Sequence, residues 1–318
     1  MSGEPSPRPQ GHVERVLALR AVPGLGKVPP LDLAALADIA VERVFPQGSL
    51  LLPPRTEVRS IHLVRSGTVL SRGRGGTRRS SEGEVVGLIP ALARAPEGLH
   101  VVAETEARTF EMNRDHLEEV LEESFSVLLA ALRGTMRAVL ETRLSLPVDA
   151  GFSSPIVGDG VRSDPELGLV ERVLFLRRLL TYGRARVEAL AELARAMTEV
   201  RAPAGTEFFA LGAPAPHALL VWSGVVAGES ARGQTFRFGP ESVVGGIDSI
   251  AGEPRWYRAV AETEVVALRS DTAHLIDVIE DHPDMGLDML RSAARIQLEL
   301  QAELPAPAEP ASGLRPAR

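Results

Sequence analysis

The chain has 318 residues, enough for two ordinary domains, and its 44% apolar and 24% charged residues are the composition of a folded globular protein. Its 35 Lys and Arg against 42 Asp and Glu leave a formal charge of -7, so no overall basic field draws it to nucleic acid. The lack of cysteine excludes disulfides, thiolate nucleophiles and cysteine metal sites. The Pro-, Ser- and Gly-rich start holds no signal-peptide core, and no apolar run approaches the ~18 residues that span a bilayer. The expectation is a cytoplasmic protein without a membrane span.

In chain order, residues 1–11 are predicted to be a disordered tail and 12–146 a first module. Over 31–40, Leu33, Leu36 and Ala40 fall at helical spacing. Short β-branched runs broken by glycine follow at 60–65, 68–71, 85–89 and 100–110 and read as strands. Asn113 or Asp115 then caps a helix through Leu117 and Leu121, and a longer amphipathic helix presents Leu129, Leu132, Met136 and Val139 on one face. Residues 147–163, rich in Gly, Ser, Asp and Pro, read as a linker.

The same order returns over 164–304. A helix at 187–197 carries Leu190, Leu193 and Met197, strands are predicted at 218–222, 225–228, 235–238 and 259–268, and two helices follow, the second with Leu287, Leu290, Ala294 and Leu298 on one face. Residues 305–318 are again Pro- and Ala-rich and are predicted to be disordered. The return is a duplication. Val13-Glu14-Arg15-Val16-Leu17 recurs 157 residues later as Val170-Glu171-Arg172-Val173-Leu174. Pro46 and Gly48 recur as Pro203 and Gly205, and Ser66-Gly67 as Ser223-Gly224, at the same offset. Beyond a one-residue insertion, Val102-Ala103-Glu104-Thr105-Glu106 recurs 158 residues later as Val260-Ala261-Glu262-Thr263-Glu264. Four collinear matches exceed chance, and many short strands at this spacing indicate two barrels or sandwiches.

Three of these motifs resemble the cyclic nucleotide-binding domain family: the Pro-x-Gly turn, the Val-x-Ser-Gly turn and the Ala-x-Thr strand, in that order and in both copies. The resemblance covers roughly residues 12–146 and 164–304, nearly all of the chain expected to be ordered. It implies a mainly β fold with flanking helices, two double-stranded β-helix (jelly-roll) barrels. It also implies where a ligand would sit. In the family a cassette of the type Phe-Gly-Glu-Leu-Ala, with an Arg about nine residues after the Glu, receives the cyclic phosphate on backbone N–H groups and the Arg, while the Glu accepts from the ribose.

Carried onto this sequence, the first cassette is degenerate. Gly87 is kept, Leu88 stands at the Glu position and Glu97 at the Arg position, so the phosphate would face a carboxylate and lack its charge-assisted bond. The second reads Gly245, Gly246, Ile247, with Arg255 at the arginine position and Trp256 after it. Here Arg255 is either a phosphate anchor or a partner of Asp248 or Glu253, and Trp256 and Tyr257 are either packing residues or a stacking platform.

No catalytic set is present. The seven histidines form no paired metal motif, and no nucleophile elbow or phosphate loop occurs. No cofactor is implied beyond the cyclic nucleotide of the family. After Leu304 only a short tail remains, which leaves no room for a helix-turn-helix, so no direct DNA reading is expected. The long helices must cover their stripes on their own barrel, on the other copy, or on a second chain as a homodimer through Leu287, Leu290, Ala294 and Leu298. The expected function is a non-catalytic regulatory or scaffold protein acting on another protein. The alternative is a cyclic AMP or cyclic GMP sensor that binds in the second copy and signals through its C-terminal helices.

Overall fold

The structure, a computed structural model, describes residues 9–73, 76–96, 98–146, 166–179, 181–182 and 184–304. The predicted linker and C-terminal tail lie outside the described residues. So do residues 1–8, whereas 9–11 of the predicted N-terminal tail are helical. The first copy runs α1 (Pro9–Ala21), a short 3-10 turn (Leu25–Lys27), α2 (Pro30–Ile39), β1 (Val41–Phe45), β2 (Leu50–Pro54), β3 (Ser60–Ser66), β4 (Val69–Gly73), β5 (Gly76–Ser80), β6 (Val85–Val86), α3 (Leu88–Ala93), β7 (Gly98–Ala103), β8 (Ala107–Asn113), α4 (Arg114–Glu123) and α5 (Phe125–Ser145). The second runs α6 (Leu169–Arg178), α7 (Val187–Ala196), β9 (Thr198–Ala202), β10 (Glu207–Phe209), β11 (His217–Ser223), β12 (Val226–Ser230), β13 (Thr235–Phe238), β14 (Val243–Val244), α8 (Gly246–Ala251), β15 (Tyr257–Ala261), β16 (Val265–Asp271), α9 (Thr272–Asp281) and α10 (Pro283–Glu303).

Each copy pairs its eight strands into two antiparallel four-stranded sheets, β1-β8-β3-β6 with β2-β7-β4-β5, and β9-β16-β11-β14 with β10-β15-β12-β13. The expected mainly β fold of two jelly-roll barrels with flanking helices is borne out. The inserted residue lies in one hairpin: Arg72 pairs with Thr77 across β4 and β5, whereas its counterpart Glu229 pairs with Thr235. Three predicted strands are corrected. The run 85–89 is two residues of strand and then helix, because Gly87 turns the chain at φ 87° into α3. The runs 100–110 and 259–268 each divide into two strands around a Glu-Thr-Glu turn.

The repeated motifs converge on one end of each barrel, which explains why they survive in both copies. Thr105 Oγ1 accepts the N–H of Thr68, the residue after the Ser-Gly turn, at 2.9 Å, and Thr263 Oγ1 accepts that of Val225 at 2.9 Å. Gly48 and Gly205 donate to Ala103 and Ala261, each at 2.8 Å. Gly67 and Gly224 lie at φ 80° and 85°, and a Cβ on either would stand 2.1 Å from the carbonyl oxygen of Glu106 or Glu264. Gly224→Ala is therefore expected to cost about 2 kcal/mol from left-handed strain and backbone overlap. Urea unfolding checks it; a change below about 0.5 kcal/mol would show that the turn relaxes freely.

His62 on β3 is 1% exposed, with Nδ1 on Thr109 Oγ1 at 3.1 Å and the Phe45 ring edge-on. Burial lowers its pKa to about 4, opposed by Glu111. Between pH 6.5 and about 4 the unfolded chain binds a proton that the folded one refuses, so stability falls as pH falls, by up to about 1.4 kcal/mol per unit. His62→Gln should flatten this part of the pH profile of unfolding. An unchanged slope would assign the acid sensitivity to other groups.

The two copies are locked through their long helices. α5 and α10 run parallel: Gly286 lets α10 close on Leu128, its counterpart in α5, and eleven residues on Gln297 Nε2 donates to Thr142 Oγ1 at 2.8 Å. Leu132 and Leu290, again counterparts, are both fully buried. The packing is crossed, α5 lying against α8 of the second copy and α10 against α3 of the first. Arg291 of α10 and Arg94 both donate to Glu118 Oε2, at 2.8 and 2.7 Å. Burial raises the Glu118 pKa, but the bonds from Arg291 and Arg94 outweigh it and hold the carboxyl below its usual range. The expected homodimer face is thereby corrected: Leu287, Leu290 and Ala294 are at most 1% exposed inside the chain, and Leu298 is half-buried beside α3. Of the three covers open to the stripe, its own barrel, the other copy or a second chain, the structure shows the other copy. Among the described residues no helix is long and apolar enough to cross a membrane.

Candidate ligand sites in the two barrels

The second barrel is filled by its own side chains. Phe236 and Phe238 from β13 and Trp256 and Tyr257 at the start of β15 form one aromatic cluster, with ring centroids 4.7–5.6 Å apart for each touching pair. Gly228 makes the room, since a Cβ there would stand 2.2 Å from the Phe236 ring. The N–H of Gly245, which opens the cassette helix, is already used: it donates to Tyr257 Oη at 2.7 Å.

Arg255 is turned inward, its side chain 0% exposed. One Nη donates to the Gly245 carbonyl at 2.8 Å, Ser249 Oγ at 3.2 Å and Asp248 Oδ2 at 3.3 Å, and the other to the His217 carbonyl. The guanidinium lies 4.1 Å over the Phe209 ring. Burial raises the Asp248 pKa, with Arg255 pulling the other way. Gly246 packs against Val243, and Ile247 lies in a cluster with Val139 of α5 and Leu146 just beyond that helix. Arg143 of α5 stands 5.9 Å over the Trp256 ring. The five candidate residues Gly245, Gly246, Ile247, Arg255 and Trp256 are thus brought together, but as a packed and internally bonded core. Of the alternatives open at Arg255, the structure shows the pairing with Asp248.

The first barrel has a cavity of about 460 Å³ at the matching place. Its counterparts to Phe236, Phe238, Trp256 and Tyr257 are Arg78, Ser80, Gly98 and Leu99, and all four line the cavity. Gly87 and Leu88 line it too, with Ile89 and Pro90. Glu97 lies outside the described residues. A Cβ on Gly87 would meet the Ser60 carbonyl and the side chains of Leu52 and Val58, where the same construction on Gly245 meets Arg255. Apolar groups therefore hold the place of the arginine. The far wall is shared by both helices, Glu141 and Thr142 of α5 and Gln297, Leu298 and Gln301 of α10. Sequence reading missed these amides, although Leu290, Ala294, Gln297 and Gln301 continue one helical stripe whose last two members are polar.

Arginines on β5 and β13 bond to acidic neighbours on the surface. Arg79 forks onto Glu104 at 2.6–2.9 Å, as its counterpart Arg237 does onto Glu262, and Arg78 reaches Glu84 at 2.7 Å. Among the described residues no three His, Asp or Glu side chains gather as metal ligands.

Residues 42–124 match the cyclic nucleotide-binding domain family. No curated protein matches the chain. Among solved structures it is similar to the regulatory subunit of a cAMP-independent protein kinase A from Trypanosoma brucei, at 15% identity over 88% of this chain and 93% of that one, TM-score 0.34. It is similar also to the regulatory domain of Toxoplasma gondii PKA, at 14% identity over 91% and 98%, TM-score 0.34. The N-terminal domain of a transcriptional regulator from Streptomyces coelicolor aligns at 28% identity over 38% of this chain and 90% of that one, TM-score 0.35. Scores of this size carry no argument about ligand or partner. What the match adds to the strand order is a family likeness for the first barrel: residues 42–124 match the model of the cyclic nucleotide-binding domain.

Proposed function

We propose that the chain is a non-catalytic regulatory protein of the cytoplasm, acting on another protein, in which neither barrel holds a cyclic nucleotide in the family manner. The observation that carries this reading is the fate of the phosphate site: in the second barrel Arg255 and the Gly245 N–H are spent on internal partners, and in the first, among the described residues, the neighbours of Gly87 are Ser60, Leu52 and Val58 where Gly245 meets Arg255. The crossed helices supply the regulatory logic. Each barrel's cassette helix is covered by the long helix of the other, so a change at one is felt by both. Contact with a partner is supported by a pair of apolar residues kept exposed at matching positions, Val13 and Leu17 on α1 and Val170 and Leu174 on α6, each 58–71% exposed.

Calorimetric titration of the whole chain with cyclic AMP and cyclic GMP tests the reading. No saturable heat is expected at micromolar to ~1 mM nucleotide, a range that covers the affinity a family-type site would give. Saturable binding that is lost on Arg255→Ala would overturn it in favour of a sensor that uses the second barrel.

A further inference from the structure

We propose that the cavity of the first barrel binds an uncharged aromatic molecule carrying a hydroxyl or ring N–H, in the space that Trp256 and Tyr257 fill in the second barrel. The inference rests on the reading above only in taking the first barrel to be no cyclic phosphate site.

The second barrel is the template. The two interiors are built on the same strands in the same register, and they differ where Phe236, Phe238, Trp256 and Tyr257 are replaced by Arg78, Ser80, Gly98 and Leu99. Removing that much ring volume leaves the cavity of about 460 Å³, within the range of small-molecule sites. Its walls at Val86, Leu88, Ile89, Leu99 and Leu298 suit a flat apolar body. In the second barrel the ring cluster brings a hydroxyl to the cassette glycine, Tyr257 Oη accepting from Gly245. Gly87, the counterpart of Gly245, lines the cavity, and a ligand hydroxyl takes the same place there.

Polar chemistry on the covering helix follows the same division. Over the filled barrel, α5 places Val139 and Arg143; over the cavity, α10 places their counterparts Gln297 and Gln301. Gln297 is 3% exposed and its Oε1 has no hydrogen-bond partner, while its Nε2 holds Thr142. Ser80, also buried, adds a hydroxyl to the wall. These are neutral groups. The charged side chains among the described lining residues are Arg78, whose guanidinium reaches Glu84, and Glu141, whose carboxylate opposes an anion. An uncharged ligand fits this wall and a phosphate does not. Because α10 belongs to the second copy, occupancy also ties the two copies together.

The test titrates the whole chain with 4-methylphenol and 3-methylindole, the side chains of Tyr and Trp as free molecules, beside 4-methylanisole and cyclic AMP, followed by ligand-observed NMR. The expected result is saturable binding of the phenol or the indole at about 1 mM or tighter, with the methyl ether about tenfold weaker than the phenol. Ser80→Phe, which copies Phe238, should abolish the binding. If that variant fails to fold, the comparison of phenol with ether on the wild-type chain decides alone. Equal binding of phenol and ether, binding that survives in folded Ser80→Phe, or no binding of either aromatic overturns the inference and leaves the reading above intact. Cyclic AMP binding in preference to the aromatics overturns both.

Discussion

Arg255→Met is expected to lower the unfolding free energy by about 3–5 kcal/mol, the usual cost of removing one partner of a buried ion pair. Methionine matches the arginine in length but offers no donor. It leaves the Gly245 and His217 carbonyls without that donor, and it leaves the 0%-exposed Asp248 carboxyl facing an apolar neighbour. The pH dependence separates this account from simple loss of packing. Burial already raises the Asp248 pKa, and removing the guanidinium raises it further. A group whose folded pKa lies above its unfolded value favours the folded state at low pH and loses that contribution as pH rises. The deficit of the variant should therefore be small near pH 4 and grow toward neutrality. Adding Asp248→Ala should recover part of it, a coupling that two independent sites would not show. Guanidinium unfolding at the two pH values checks all three statements. A loss below about 1 kcal/mol at neutral pH would return Arg255 to the role of an unspent anion ligand.

This prediction marks where sequence reading stops. The duplication, the barrels and the cassette positions were all legible, because the motifs that carry them are turn geometry: Gly67 and Gly224 sit under carbonyls that admit no Cβ, and Thr105 and Thr263 hold the residue that follows each. Such constraints are local and leave a signature in both copies. Whether a cassette is open is not local. Trp256 and Tyr257 beside Arg255 fit a stacking platform as well as a core, and the choice is made by Phe236 and Phe238 on β13 with the room at Gly228 on β12. Replacing Phe236, Phe238, Trp256 and Tyr257 by Arg78, Ser80, Gly98 and Leu99 empties the first barrel, which the sequence had marked as the more degenerate of the two. The partner of the long helices was equally hidden. An apolar stripe is the same stripe whether a barrel, the other copy or a second chain covers it, and the one local sign was Gly286 within the stripe, opposite Leu128.

Leu290→Ala tests that helix pair and with it the coupling of the copies. The side chain is 0% exposed on the face of α10 that meets α5, its counterpart Leu132 is equally buried, and both belong to a core shared by the two barrels. The expected cost is about 3–5 kcal/mol, from lost transfer energy and a cavity that two 21-residue helices held at Gly286 and Gln297 cannot close. The pattern of the loss matters more than its size. If the barrels stood independently, truncation of a second-copy residue would lower the second transition and leave the first in place. With α10 lying on α3 and α5 on α8, loosening the pair uncovers both cassette helices at once. Trp222 and Trp256 lie in the second copy, so tryptophan fluorescence follows that barrel, and hydrogen exchange along β3 and β8 follows the first. Both probes should shift together in Leu290→Ala, as one cooperative unit. A first barrel whose protection is unchanged while the second unfolds would show that the crossed packing does not couple them, and the regulatory reading would lose its route between the sites.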